Sequence, residues 1–146
     1  MKNKNNMGIT KEPSYKSKIS PEIMDRIQEA IRRIVLVEKR YKDKGLSAIQ
    51  LANELDTNTR YISAVFSVRF HSTFNVYINR LRVEEAMSIL TNKKYYEMRM
   101  QDISDMVGFR NRQSFYSAFE KFVKISPREF KNKFYEELNT GVKKAK

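Results

Sequence analysis

Apolar side chains recur along most of this chain every three or four residues, the spacing of helices with one buried face. Ser20-Pro21-Glu22 predicts a helix start, with a capping serine, proline at the first helical position and an acid in the first turn. Ile23, Ile27, Ala30, Ile31, Ile34, Val37 and Tyr41 then form one stripe, and Lys42-Asp43-Lys44-Gly45 is expected to end that helix. Val35 and Leu36 fall off the stripe, where they are available to a partner. Ser47 opens a short helix, and Asn58 caps a second one with Ile62, Val65 and Phe66 facing inward. Thr73 to Leu90 predicts a long amphipathic helix carrying Phe74, Tyr77, Ile78, Leu81, Ala86, Ile89 and Leu90. After a basic loop from Thr91 to Arg99, Ile103, Met106 and Val107 mark another short helix, which Gly108 ends. Asn111 caps the next helix, with Phe115, Ala118, Phe119 and Phe122 inward, and Ser126-Pro127 opens the last. The pattern is all-α.

The chain also repeats itself. Asn58, Ile62, Phe66 and Tyr77 match Asn111, Phe115, Phe119 and Phe130 at an offset of 53. Ala52, Leu55 and Asp56 match Ser104, Val107 and Gly108 at 52, so the second turn is expected to be one residue longer. Each copy is a short helix, a turn and a second helix with a polar outer face, the helix-turn-helix pattern. The fold expected is therefore two helix-turn-helix subdomains joined by a long connecting helix. About 18 residues at 1.5 Å make that connector a rod near 27 Å. One turn of DNA is about 34 Å, so such a rod can hold two reading helices in adjacent major-groove faces.

Charge sharpens this picture. The 146 residues carry 29 Lys and Arg against 17 Asp and Glu, a net charge of +12, which implies a polyanionic partner. Pro21 to Asp56 is balanced, whereas residues 92 to 134 hold ten bases against five acids. Pro21 to Asp56 is thus a poor candidate for the DNA face and is expected to be scaffold. Residues 1–20, with five Lys and one Glu, are expected to be a disordered basic arm, residues 21–134 the domain, and residues 135–146 a flexible basic tail.

Several chemistries are excluded. With no cysteine there is no thiol nucleophile, disulfide or Cys-based zinc site, and one histidine makes no metal cluster. No nucleophile–base pair is visible, so no enzyme, metal or cofactor is expected. No apolar run approaches the roughly 18 residues of a membrane span, and the absence of cysteine suits a cytoplasmic protein.

Ile103, Gly108-Phe109, Gln113-Ser114, Phe115, Phe119, Ser126-Pro127 and Phe130 resemble the second helix-turn-helix of the AraC/XylS family of bacterial transcription regulators. From Leu46 to Phe134 the resemblance is nearly continuous; it includes Leu51-Ala52, Leu55, Tyr61-Ile62, Phe66, Phe74, Tyr77, Leu81-Arg82, Ala86 and Leu90. It implies seven helices and sequence-specific binding of double-stranded DNA at an asymmetric site, as a monomer carrying both readers. Carried over by position, the base readers are Arg60, Ser63 and Ala64 in the first unit, and Arg112, Gln113, Tyr116 and Ser117 in the second. Asn58, Ser67, Asn111, Lys121, Lys124 and Lys131 are expected at phosphates. Three positions depart from the family pattern. Ala64 stands where the family often has Arg, and His71 and Lys124 stand where Gly is common, so left-handed backbone is expected at both. No sensing domain is visible, so a regulator of this kind acts without one or responds through a partner, RNA polymerase or a separate sensor protein. The alternative function is a protein-interaction module that keeps the fold without reading DNA.

Overall fold

The computed structural model describes residues 19–144, and these form an all-α fold of seven α-helices. Residues 1–18, most of the expected arm, and residues 145–146 of the expected tail lie outside the described residues. Ile19 and Ser20, also assigned to the arm, are ordered parts of the fold: Ile19 is buried, and Ser20 Oγ accepts the Ile23 N–H at 3.3 Å.

Helix α1 (Pro21–Ile31) continues as a π-helical stretch, Arg32–Val37, and stops there. The expected helix through Tyr41 is therefore too long. The Glu38 N–H reaches back five residues to the Arg33 carbonyl at 2.9 Å, and Lys39 then takes a left-handed φ of 54°. A five-residue bond inserts one residue into the ladder and turns everything beyond it. Ile34 and Val35 are consequently buried, whereas Val37, expected on the stripe, is 76% exposed. Leu36 is exposed as expected; Val35 is not available to a partner. Tyr41 is buried all the same, from a short 3-10 turn, Arg40–Lys42.

The two repeats follow: α2 (Ala48–Glu54) with α3 (Thr59–Arg69), and α5 (Met100–Val107) with α6 (Arg112–Val123). Between them runs α4 (Phe74–Leu90), capped by Thr73 Oγ1 on the Val76 N–H and about 26 Å long. It is shared by two cores. Ile78 is buried in the first, with Phe74, Tyr77 and Leu81 packed against it, while Val83, Ala86, Ile89 and Leu90 belong to the second. The repeat extends to ring contacts. Phe66 meets Tyr77 at 5.4 Å and 64°, and their counterparts Phe119 and Phe130 meet at 5.5 Å and 68°.

Helix α7 (Pro127–Lys144) starts where Ser126 Oγ accepts the Glu129 N–H at 3.1 Å. It does not fray after Phe134, as the tail was expected to do, but stays helical to Lys144. The stretch from Tyr135 is rich in good helix formers, and Tyr135 stacks edge-on against Tyr96 at 4.9 Å, holding the helix to the loop before α5.

That first-unit 3-10 turn is also the point where the two units meet. Arg82 of α4 donates from Nε to the Tyr41 carbonyl at 2.6 Å and from a terminal nitrogen to the Asp43 carbonyl at 3.0 Å. Tyr41 Oη donates to Glu85 at 3.2 Å, and Lys42 pairs with the same carboxylate at 2.7 Å. Lys44 pairs with Asp105 of α5 at 2.7 Å.

Candidate nucleic-acid interface

The second helix of each unit, α3 or α6, is aimed by the turn before it, and the two turns share one geometry. Asp56 takes φ 52° and Gly108 φ 105°, both left-handed. The following N–H groups then close back on the helix, Thr57 to the Ala52 carbonyl at 2.9 Å and Phe109 to the Ser104 carbonyl at 3.0 Å. This is the Schellman closure, repeated at an offset of 52. Asn58 Oδ1 accepts the Tyr61 N–H at 2.9 Å, and Asn111 Oδ1 the Ser114 N–H at 2.8 Å, the same cap at an offset of 53. The second turn is one residue longer, as expected. Ala52 and Ser104 are buried, and Ser104 Oγ donates to the Asn111 carbonyl at 3.1 Å, tying the two helices of the second unit together. Met106, expected on the buried stripe of α5, is exposed; Met100 is buried instead.

The outer face of α6 presents Arg112, Gln113 and Ser117 to solvent. Tyr116 is half-buried, edge-on to Phe115 at 5.8 Å, and the Arg112 guanidinium lies 5.7 Å from its ring. Gln113, Ser117 and Lys121 line one shallow groove with Asn79 of the connecting helix. The first unit offers less. Arg60 and Ser63 are exposed, and Ser63 and Ser67 share a groove with His71 and Thr73. Ala64, expected to face outward, has no exposed surface. The reason is that α3 packs against both α1 and α2, so its covered wall is wider than one stripe, and a methyl group on the flank cannot reach past it. Ala64 is withdrawn as a base contact.

Among the expected phosphate ligands, Asn58 and Asn111 spend their carbonyl oxygens on caps and leave their amide N–H groups outward. His71 and Lys124 are left-handed as expected, at φ 51° and 75°. Lys124 Nζ donates to the Lys121 carbonyl at 3.0 Å. Lys131 Nζ donates to the Tyr96 carbonyl at 2.5 Å and lies 4.3 Å from the Tyr96 ring, so this lysine fastens α7 to the loop before α5. Lys121 is the one of the three lysines with no such partner among the described residues.

A feature that periodicity did not signal lies between the units. A cleft of about 630 Å³ is bounded by the starts of α3 and α4 and by the second turn. Its ionisable lining residues are Lys44, Arg60, Arg82 and Arg110, all basic. Burial pulls the Arg82 guanidinium below its ordinary value, and its bonds to two carbonyls and its place 5.8 Å from the Phe109 ring make it part of the wall. Among the described residues no helix is long and apolar enough to cross a membrane, and no group of His, Asp and Glu is arranged to hold a metal.

Comparison with known proteins bears on this arrangement. Residues 51–133 match the family described as a helix-turn-helix domain. The melibiose operon regulatory protein of Escherichia coli (strain K12) is 27% identical over 89 residues, which are 61% of this chain and 28% of that protein. The uncharacterized HTH-type transcriptional regulator YijO of the same strain is 27% identical over 110 residues, 75% of this chain and 37% of that one. The chain thus spans well under half the length of either relative. Among solved structures, the C-terminal domain of the two-component response regulator yesN from Fusobacterium nucleatum is 28% identical with a TM-score of 0.64, covering 71% of this chain and 96% of that domain. The C-terminal domain of AraT, a response regulator from Geobacillus stearothermophilus, shares the fold at a TM-score of 0.63 and 21% identity, over 80% and 88% of the two chains.

Proposed function

The chain belongs to the AraC-type helix-turn-helix family, and from that premise we propose that it is a transcription regulator that binds an asymmetric duplex DNA site as a monomer. The observation that carries the reading is the duplicated closure and cap ahead of α3 and α6, on one rod about 26 Å long. Two readers so mounted suit adjacent major-groove faces of one turn, about 34 Å apart. The second reader dominates. Arg112 and Gln113 stand exposed just after the cap of α6, the end that enters the groove. Arg can hold guanine O6 and N7 together and Gln can pair with adenine, each worth about 1–3 kcal/mol of discrimination. Tyr116 and Ser117 extend that face, and Arg60 and Ser63 read for the first unit. Asn58, Ser67, Asn111, Lys121 and Lys124 hold phosphates.

Selection of sites from a random duplex library, with wild type and Arg112→Ala side by side, tests the assignment. The expected result is a preference flattened at one or two positions in the variant. An unchanged profile removes Arg112 from the readers.

Exposed Val37 and Leu36 favour a second use of the fold, contact with a protein partner such as RNA polymerase or a separate sensor. A salt-dependent mobility shift separates the two readings: a module that only binds protein gives none.

A further inference from the structure

We propose that the cleft between the two units is a phosphodiester site, in which Arg110 and Lys44 hold the DNA backbone where it passes from one major-groove segment to the next. The inference rests on the reading of the chain as a duplex-DNA binder and adds to it a contact that belongs to neither reading helix.

Three observations support it. The cleft is walled by both units, with Arg60 at the start of α3 on one side and Gly108 and Arg110 of the second turn on the other. A backbone held there therefore lies between the two readers. No carboxylate is among its lining residues, whereas four cations are, and of these Lys44 is paired with Asp105 just outside the lining. Arg110 is exposed, and no hydrogen bond or ion pair engages it among the described residues.

The position of Arg110 is itself informative. In the first unit only Thr57 separates left-handed Asp56 from the cap Asn58, whereas in the second both Phe109 and Arg110 separate Gly108 from Asn111. Phe109 goes inward and is buried. The additional residue of the longer turn thus ends as a cation at the cleft, with no counterpart in the other unit. Lys44 is held in reserve by Asp105 at 2.7 Å, with both side chains nearly half exposed. Exposed pairs of this kind are weak and salt-screened, so a phosphate can draw the ammonium from the carboxylate.

The experiment is anisotropy titration of a selected duplex across a salt series with wild type, Arg110→Ala and Asp105→Asn. Wild type should show a steep fall of log K with log salt. Arg110→Ala should bind every sequence more weakly, with a slope shallower by about 0.9 and an unchanged base preference. Asp105→Asn, which frees Lys44, should tighten binding to all sequences alike. Duplexes carrying single neutral methylphosphonates supply the second measurement: one substitution between the two half-sites should weaken wild type by a larger factor than it weakens Arg110→Ala, in which Lys44 alone remains. A flat salt response in wild type would overturn the DNA reading and this site with it. A steep wild-type response with an unaltered slope in Arg110→Ala, or a changed base preference in that variant, would overturn the site alone.

Discussion

Gly108→Ala is the substitution on which the arrangement of the two units can be judged. Two costs add there. The backbone sits at φ 105°, where an L-residue pays roughly 1–2 kcal/mol. A Cβ would also lie 2.7 Å from the Tyr41 carbonyl oxygen and 2.8 Å from the Lys42 carbonyl carbon and oxygen. These are main-chain atoms of the 3-10 turn, whose Tyr41 and Asp43 carbonyls Arg82 bonds on either side of Lys42 in the chain, and they cannot swing away as a side-chain tip would. Forcing extra volume into such a contact costs typically about 1–3 kcal/mol. The expected loss is therefore about 2–5 kcal/mol, read as a lower urea midpoint at unchanged m. Two companions divide it. Asp56 holds the equivalent left-handed position while bearing a side chain, so Asp56→Gly reports the conformational part alone, a gain of about 1 kcal/mol. Gly141, in α7 with nothing within 4 Å of a Cβ, should accept alanine with a gain of up to about 1 kcal/mol. If Gly108→Ala stays within about 0.5 kcal/mol of wild type, the close approach of the two units is not as described.

Other outcomes follow from the same region. Burial and the neighbouring Glu85 push the Tyr41 phenol up to about 12 from 10.0, so the folded state keeps a proton that the unfolded state has released. Stability is then lost as pH rises from 10 toward 12, and Tyr41→Phe should flatten that alkaline limb relative to wild type. Lys42 holds the Glu85 carboxyl below its ordinary 4.5, so its contribution is present above that value and lost as pH falls through the folded one; in Glu85→Gln the acid limb should be shallower. Val83→Pro breaks the middle of α4 and should cost about 3 kcal/mol or more, and a folded variant that kept its site preference would show that the rod does not set the spacing. Arg82→Met removes two bonds from a charged donor and should cost about 1.5–3 kcal/mol for the part-buried Tyr41 carbonyl, and less for the exposed Asp43 carbonyl, which water can reach. DNA selection with that variant should accept a wider range of half-site spacings; the wild-type range would refute the role given to Arg82.

Much of this molecule was legible because helix caps and apolar stripes are local. Ser20, Ser47, Asn58 and Asn111 each accept the N–H that their position predicts. The offsets of 52 and 53 became a shared closure, a shared cap and a shared ring pair. Periodicity failed where the period itself changes. The π-helical bond ending at Glu38 moves the register by one residue, and no count of apolar spacing announces it, so Val35 and Val37 exchanged places. It failed again at Ala64, whose covering comes from packing against a second helix, information that a single helical wheel does not hold.

The site divides in the same way. The outer face of α6 follows from its own spacing, so Arg112, Gln113 and Ser117 were legible as outward residues and stand exposed. A cleft between units belongs to no one helix, and Lys44, Arg82 and Arg110 are far apart in the sequence. A rod such as α4 fixes how far apart the two units are, and the residues of it that enter each core set the faces on which they sit. Contacts off the axis brace the arrangement, and those come from residues 41–43: two carbonyls bonded by Arg82, and a phenol and an ammonium on Glu85. Gly108 is the residue that lets this segment approach the second turn. The glycine that ends α5 and aims α6 is thus also the one that lets the first unit seat against the second. That is why the turn after α5 keeps glycine, while the equivalent turn after α2, with no such approach to accommodate, does with aspartate.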